Sequence, residues 1–247
     1  SAAMAIAESS LPLIIGHRGA CGHAPENTLA SFRAAADLGV AWVEFDVKLS
    51  GDDELIILHD NTLDRTTTGQ GLVAEHTLAE IQRLDAGLFF GEAFRGEKVP
   101  SLDETLATLR DLSMGAVVEI KPCPGREAET GRRVARHLAA HWPVSLPPPL
   151  LCSFKPESLV AAMAAVPDLE RALLLDVVAD NWLQGAEQVG ARAIHCGHRQ
   201  LSESRGGEVL AAGYNLRCFT VNDGIRAKTL LDWGVQGIIT DYPERVP

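Results

Sequence analysis

The sequence predicts a single (β/α)8 TIM barrel of the α/β class, and three observations support this fold. Short apolar runs alternate along the chain with longer amphipathic, Ala- and Leu-rich stretches, which is the pattern of repeated βα units around a parallel sheet. All but one of these runs are spaced widely enough for parallel crossovers. The length of 247 residues is also typical of such a barrel, for which about 250 residues are usual.

The apolar runs are the predicted strands, and the stretches between them are the predicted helices. In chain order the strands read "LIIGH", "WVEFDV", "LIILHD", "AVVEIK", "LLCSF", "RALLLD", "ARAIHC", "LRCFTV" and "QGIIT". The helices read "NTLASFRAAADLG", "SLDETLATLRDL", "EAETGRRVARHLAAHW", "PESLVAAMAAV", "NWLQGAEQVG", "GGEVLAAGYN" and "IRAKTLLDWG". Several helices end at glycine, a common residue just beyond a helix C-terminus, and Asn27 is the predicted N-cap of the first.

One connection is too short for a parallel crossover. Only "KLSGDDE" separates the second run from the third, so these two runs are predicted to form an antiparallel hairpin. The eight remaining runs form the barrel. Residues 59–99 are then a small insertion between the second barrel strand and its helix, and the whole chain, 1–247, is one domain. The alternative is an open doubly wound sheet, whose usual G-x-G-x-x-G signature does not occur in "GHRGACG".

Composition and charge exclude several classes of function. A net charge of −11 argues against nucleic acid as the main partner, because binding its backbone requires a basic face. The apolar runs are far shorter than the roughly 20 residues that span a bilayer, so no stable membrane association is expected. "SAAMAIAESS" lacks the basic start and apolar core of a signal peptide. An odd number of cysteines without C-x-x-C spacing is typical of reduced thiols, and a cytoplasmic location is expected.

Acidic residues alternate on two predicted strands. Glu44 and Asp46 are two residues apart in "VEFDV", and so are Glu119 and Lys121 in "VVEIK", so each pair lies on one face of its strand. Buried carboxylates need a compensating cation or hydrogen bonds, and a hard ion such as Mg²⁺ or Ca²⁺ prefers oxygen ligands. The alternative is an ordinary outward-facing polar alternation. The apolar context of both runs favours the buried site.

Two histidines follow strands that end near these carboxylates. His17 ends the first strand and His59 ends the hairpin, so both are predicted at the C-terminal mouth of the barrel, where barrel active sites lie. Their ordinary pKa suits proton transfer near neutral pH. Arg18 and Lys121 could bind an oxyanion there. The alternatives are structural hydrogen bonds for the histidines and plain ion pairs with Glu44 or Glu119 for the two cations.

The ordered motifs resemble those of the glycerophosphodiester phosphodiesterase family. They cover nearly the whole chain and read "HRGACGHAPENT", "EFDV", "LHDNTLDRTTTGQG", "SLDETL", "VEIKP", "CSFKPESL", "FTVND" and "GIITDYP". One motif alone would be weak, whereas the ordered set is highly specific. One departure is Phe219, where many members of the family have Trp.

The resemblance implies hydrolysis of a small glycerophosphodiester to glycerol 3-phosphate and an alcohol with one divalent cation, Mg²⁺ or Ca²⁺. It also implies roles for the candidate residues: His17 and His59 match the acid/base pair, Arg18 and Lys121 the phosphate contacts, and Phe219 a substrate contact. The implied metal ligands are Glu44, Asp46 and Glu119. Two alternatives are a phospholipase C- or D-like enzyme acting on a lipid, and a non-catalytic phosphate- or metal-binding barrel, which would need neither histidine.

Overall fold

Eight parallel strands form a closed barrel in the computed structural model, which describes residues 11–247, and a ninth strand is attached to it. The stretch judged not to be a signal peptide lies outside the described residues. The strands are β1 (Ile14–Gly16), β2 (Trp42–Leu49), β3 (Leu55–Ile57), β4 (Gly115–Ile120), β5 (Leu150–Ser153), β6 (Arg171–Leu175), β7 (Ala193–Gly197), β8 (Asn215–Phe219) and β9 (Gly237–Thr240). All nine coincide with predicted runs.

The first strand closes the barrel. β1 pairs in parallel with β2 on one side, with Gly16 opposite Val43, and with β9 on the other, with Ile14 opposite Ile238. An open sheet has two free edges and no such double pairing, so the alternative of a doubly wound sheet is wrong. The predicted barrel is confirmed.

The extra strand is the predicted hairpin partner. β3 runs antiparallel to β2, with Val47 opposite Ile57. The Leu58 amide then donates to the Asp46 carbonyl, which extends the pairing by one residue. The hairpin therefore carries His59 back to the strand that holds the predicted metal ligands.

Eight α-helices of the described chain surround or extend this barrel. They are α1 (Leu29–Asp37), α2 (Leu78–Gln82), α3 (Leu102–Leu112), α4 (Glu127–His141), α5 (Pro156–Ala165), α6 (Trp182–Gln188), α7 (Glu203–Ala211) and α8 (Gly224–Asp232). α7 begins three residues before its predicted start, because the Ser202 side chain accepts from the Arg205 amide and caps the helix there. Gly39 and Gly234 follow α1 and α8 with positive φ, as the predicted helix ends require.

The insertion at residues 59–99 has a small core of its own. Leu63, Val73 and Ile81 are fully buried there and pack with Ile56 of β3. The sequence reading did not include α2, although its signal was present: Thr77 and Glu80 form a reciprocal capping box. This packed insertion supports the segment that begins at His59.

Alternation along β2 separates two environments. Val43, Phe45 and Val47 point outwards into the core beneath the helices. Glu44 and Asp46 occupy the opposite, inward-facing positions and are also buried. The interior face of the barrel is therefore acidic at one point, and that is where the site lies.

Candidate active site

A cavity of about 270 Å³ opens at the C-terminal ends of the barrel strands. This volume is close to the lower end of the range of small-molecule sites, about 300–1,000 Å³. Its lining combines histidines, acidic groups, an arginine and apolar side chains: His17, Arg18, Glu44, His59, Val117, Glu119, Cys152, Phe154, Leu174, Asp176, His195, Phe219, Thr220 and Ile239. Six of the eight predicted site residues line it directly.

Three of the predicted residues form one carboxylate cluster. Glu44, Asp46 and Glu119 are all buried, and each offers an oxygen within 4.8 Å of the others. Strand pairing produces this convergence, since Asp46 lies directly opposite Glu119 in the parallel β2–β4 ladder. The outward-facing polar alternation considered as the alternative is therefore wrong for these residues.

The cluster is electrostatically unbalanced. Burial, and then the negative charge of Asp46, raises the pKa of both Glu44 and Glu119 well above its usual value. Burial opposes ionisation of Asp46 too, but the positive charge of Arg18 and other neighbouring groups hold its pKa below the usual range. Three ionised carboxylates at this depth therefore lack sufficient positive charge among the described groups.

A divalent cation fits this cluster. Glu119 Oε2 is buried and has no hydrogen-bond partner among residues 11–247. An unpaired buried carboxylate oxygen costs free energy, and a coordinated cation would remove both this deficit and the mutual repulsion. Oxygen donors are the ligands that Mg²⁺ and Ca²⁺ prefer, so the donor set matches a hard ion.

His17 is oriented by a carboxylate from the other end of the chain. Its Nδ1 lies 2.6 Å from Asp241 Oδ1, and its Nε2 lies 3.9 Å from Glu44 Oε2. Asn222 and Cys21 also donate to Asp241, at 2.8 and 2.9 Å. Despite the burial of Asp241, these hydrogen bonds and His17 hold its pKa below the usual range. An ionised Asp241 keeps the proton of neutral His17 on Nδ1 and leaves Nε2 free towards the cavity.

His59 has a matching carboxylate. Its Nδ1 lies 2.8 Å from Asp60 Oδ1, and Asp60 in turn accepts from Arg65 at 2.9 Å. Hydrogen bonding to Arg65 is the main cause that lowers the pKa of Asp60. Burial lowers the pKa of His59 below its ordinary value, which favours the neutral imidazole. Both predicted histidines thus present an ordered ring to one cavity.

Arg18 connects the two halves of the site. Its Nη1 donates to Glu26 at 2.7 Å, and its Nε lies 3.5 Å from Asp46. Glu26 also accepts from Arg65, so one carboxylate holds both guanidinium groups. Arg18 therefore makes ion pairs and also lines the cavity. Its partners are Glu26 and Asp46, not Glu44 or Glu119, the partners that the sequence analysis considered.

The turn after β1 needs its glycine. Gly19 has φ +89°, and a Cβ there would lie 2.2 Å from Ser31 Oγ. The turn directs the Arg18 amide to Glu44 Oε2 at 3.1 Å. A side chain at this position would be strained as well as in collision with Ser31, so the turn requires glycine.

The predicted cap of α1 was wrong. Thr28 caps the helix by accepting from the Ser31 amide. Asn27 instead has φ +57° and donates from Nδ2 to Asp46 Oδ2 at 2.9 Å. An Asn tolerates this left-handed conformation better than most residues, and its side chain orients a predicted metal ligand.

The two remaining predicted residues lie at the edges of the site. Lys121 is half-buried and does not line the cavity, but its charge acts on both Glu119 and His59. Phe219 lines the wall and stacks edge-on against Phe154, with ring centroids 5.8 Å apart. Asp176 lies on the same wall, so an acidic and two aromatic side chains flank the mouth.

Sequence reasoning missed the residues that orient others. Asp241, Asp60 and Glu26 each bond a predicted group, yet none was singled out. For Asp60 a signal was present, since it follows His59 directly in "LHDN". Asp241 lies 224 residues from His17, and only barrel closure brings the two together.

The barrel mouth brings together carboxylates suited to a cation, two ordered histidines and a guanidinium. Together these groups define a phosphoric ester hydrolase. Comparisons with known proteins specify the class further. The glycerophosphoryl diester phosphodiesterase family profile matches residues 17–245. The glycerophosphodiester phosphodiesterase of Bacillus subtilis is 34% identical, over 94% of this chain and 84% of its own, and that of Caldanaerobacter subterraneus is 33% identical, over 94% and 95%.

A solved structure agrees with these relatives. The phosphodiesterase of Oleispira antarctica, solved in complex with the product sn-glycerol 3-phosphate, superposes with a TM-score of 0.92 at 38% identity, covering 96% of this chain and 95% of its own. The chain belongs to the glycerophosphodiester phosphodiesterase family. It is a phosphoric diester hydrolase.

Proposed function

We propose that the enzyme hydrolyses small glycerophosphodiesters to glycerol 3-phosphate and an alcohol, with one divalent cation and a pair of histidines. The observation that carries this proposal is the convergence of His17, His59 and the carboxylate cluster on one cavity. The Oleispira antarctica relative holds glycerol 3-phosphate as its product, which supports the same product here.

Glu44, Asp46 and Glu119 would hold the cation, either Mg²⁺ or Ca²⁺. When bound, it would stabilise negative charge on the phosphoryl oxygens. Arg18 adds a planar donor group on the same side of the cavity, with Lys121 as a more distant positive charge. These fixed charges favour the transition state because negative charge accumulates there on the non-bridging oxygens.

The two histidines divide the proton transfers. One takes a proton from the nucleophile at its Nε2, and the other gives a proton to the departing alcohol, which is otherwise a poor leaving group. Asp241 and Asp60 each accept from Nδ1 of one ring and so keep the reactive nitrogen towards the cavity. Either histidine can take either role in this arrangement.

Two nucleophiles are compatible with the site: water, or the 2-hydroxyl of the substrate's own glycerol. Attack by the hydroxyl would pass through a cyclic phosphate, by the logic of intramolecular reaction. Phosphorus NMR of the reaction mixture separates the routes, because only the second produces a cyclic phosphate signal that rises and then decays.

The direct test is a release assay on a panel of glycerophosphodiesters. We expect turnover that EDTA abolishes and that Mg²⁺ or Ca²⁺ restores. Phospholipid vesicles serve as the comparison substrate, because the alternative function is action on a lipid. In the part of the chain that the structure describes, no helix is long and apolar enough to cross a bilayer. Release that survives exhaustive chelation would contradict the metal proposal, and faster release from vesicles would contradict the substrate class.

A cytoplasmic location stays a prediction. The five cysteines, all within residues 11–247, are free thiols, which supports a reducing compartment. Detection of the native protein in the cytosolic fraction of its cell would test it.

A further inference from the structure

A buried histidine that was not a predicted site residue lies in the wall of the active-site cavity. His195 is on β7, where it is fully buried, and it is one of the residues that line the cavity. Its partners in the sheet are Leu174 on β6 and Arg217 on β8. In such a pocket, a few polar groups fix the orientation of the ligand.

Arg217 on β8 determines which ring nitrogen of His195 carries the proton. Arg217 Nη1 lies 3.0 Å from His195 Nε2. Arginine has donors and no acceptor, so Nε2 must accept and the proton of the neutral ring lies on Nδ1. Burial, and then the charge of Arg217, lowers the pKa of His195 well below its usual value. The ring is therefore a neutral N–H donor.

The arginine has a place built for it. Arg217 is 1% exposed inside the barrel, and it lies opposite Gly237 in the β8–β9 ladder. A Cβ at Gly237 would lie 2.7 Å from Arg217 Cγ. The missing side chain at Gly237 thus leaves room for the guanidinium stem, and the stem holds His195 in one orientation.

The donor is left without a partner. His195 Nδ1 is buried and makes no hydrogen bond within residues 11–247. Buried donors are almost always satisfied, so an acceptor from outside the protein is expected at this point. A neutral donor suits a neutral oxygen, such as a hydroxyl, whereas the phosphate has the cation site and Arg18.

We propose that His195 is a positioning residue whose Nδ1–H donates to a hydroxyl oxygen of the glycerol moiety. This inference rests on the proposed function and deepens it by naming one determinant of glycerol selectivity. A site built to bond a hydroxyl strongly rejects an analogue that lacks it.

Two substitutions separate this role from a structural one. In His195→Asn the side-chain amide can superpose its nitrogen on Nδ1, which keeps the cavity donor and removes the acceptor for Arg217. In His195→Gln the amide reaches the place of Nε2, which keeps that acceptor and removes the cavity donor. If the proposal is correct, His195→Asn retains its affinity for the ligand and His195→Gln loses it. If His195 has a purely structural role, His195→Gln retains the affinity and His195→Asn loses it.

The measurement is equilibrium binding of glycerol 3-phosphate, its two monodeoxy analogues and inorganic phosphate, by calorimetry. We expect His195→Gln to weaken glycerol 3-phosphate binding roughly 10- to 100-fold, the range for one lost buried hydrogen bond. One deoxy analogue should show no further loss in this variant, and inorganic phosphate should bind unchanged. His195→Asn should stay within about threefold of wild type.

The outcomes distinguish this inference from the proposed function. Three results would overturn the inference: an equal loss of glycerol 3-phosphate affinity in both variants, an unchanged affinity in His195→Gln, or an equal loss of affinity for inorganic phosphate. Turnover by the wild-type enzyme would still uphold the function. Wild-type protein that binds glycerol 3-phosphate with the expected variant order, yet hydrolyses no glycerophosphodiester, would uphold the inference and overturn the function. Wild-type protein that does not bind glycerol 3-phosphate would overturn the inference outright.

Discussion

Asp241→Asn tests whether an aspartate near the end of the chain controls His17, the proposed acid/base residue near its beginning. The carboxylate accepts from three donors, His17 Nδ1, Cys21 Sγ and Asn222 Nδ2, at 2.6–2.9 Å. An Asn of the same shape has one acceptor oxygen and one donor nitrogen. If the oxygen keeps the bond from Asn222, the nitrogen faces His17 and donates to its Nδ1.

This exchange would move the imidazole proton from Nδ1 to Nε2. If His17 is the base, its Nε2 would then carry a proton where it must accept one. If His17 is the acid, its imidazolium form would lose the negative charge that stabilises it. Loss of general acid/base function costs about 10²- to 10⁴-fold, and the equivalent substitution in serine proteases costs about 10⁴-fold in kcat. We therefore expect kcat to fall by about 10²- to 10⁴-fold with KM changed much less.

Steady-state release of glycerol 3-phosphate measures this effect, and a thermal melt checks that the variant is folded. Cys21→Ala is the matched control, because it removes the contacts of Cys21 Sγ with Asp241 and His17, at 2.9 and 3.9 Å, and leaves the hydrogen bond between those two residues in place. It should stay within about threefold of wild type. A folded Asp241→Asn enzyme with kcat within threefold of wild type would refute the reasoning.

Three further variants test the rest of the site. His17→Ala and His59→Ala should each lower kcat by about 10²- to 10⁴-fold with an unchanged melting temperature; near-normal turnover would remove that histidine from the mechanism. Glu119→Gln should raise the melting temperature of EDTA-treated protein, by about 2–4 °C for each kcal/mol gained, because it removes one of the repelling carboxylates; a lower melting temperature would contradict the electrostatic description. Gly19→Ala should destabilise the fold by roughly 1–3 kcal/mol, measured by urea unfolding, because its φ is positive and its Cβ would overlap Ser31; an unaltered unfolding midpoint would count against a strained turn.

Local patterns were enough for the elements of the fold and for the first members of the site. Strands and helices follow from the period of apolar residues, and the hairpin follows from a connection too short to cross over. Glu44 and Asp46 share a face because alternate strand residues always do. His17 and Arg18 were recognisable because they follow a strand end, where barrel sites lie.

Only the tertiary structure showed which groups serve those residues. Asp241 meets His17 through closure of the barrel between β1 and β9, and Arg217 meets His195 through the register of β7 and β8. Pairing across a closed sheet depends on the arrangement of all its strands, whereas alternation within a strand depends on neighbouring residues alone. The sequence by itself therefore determined the barrel and the groups that face the substrate, while the folded chain decided which distant side chains set their protonation and orientation.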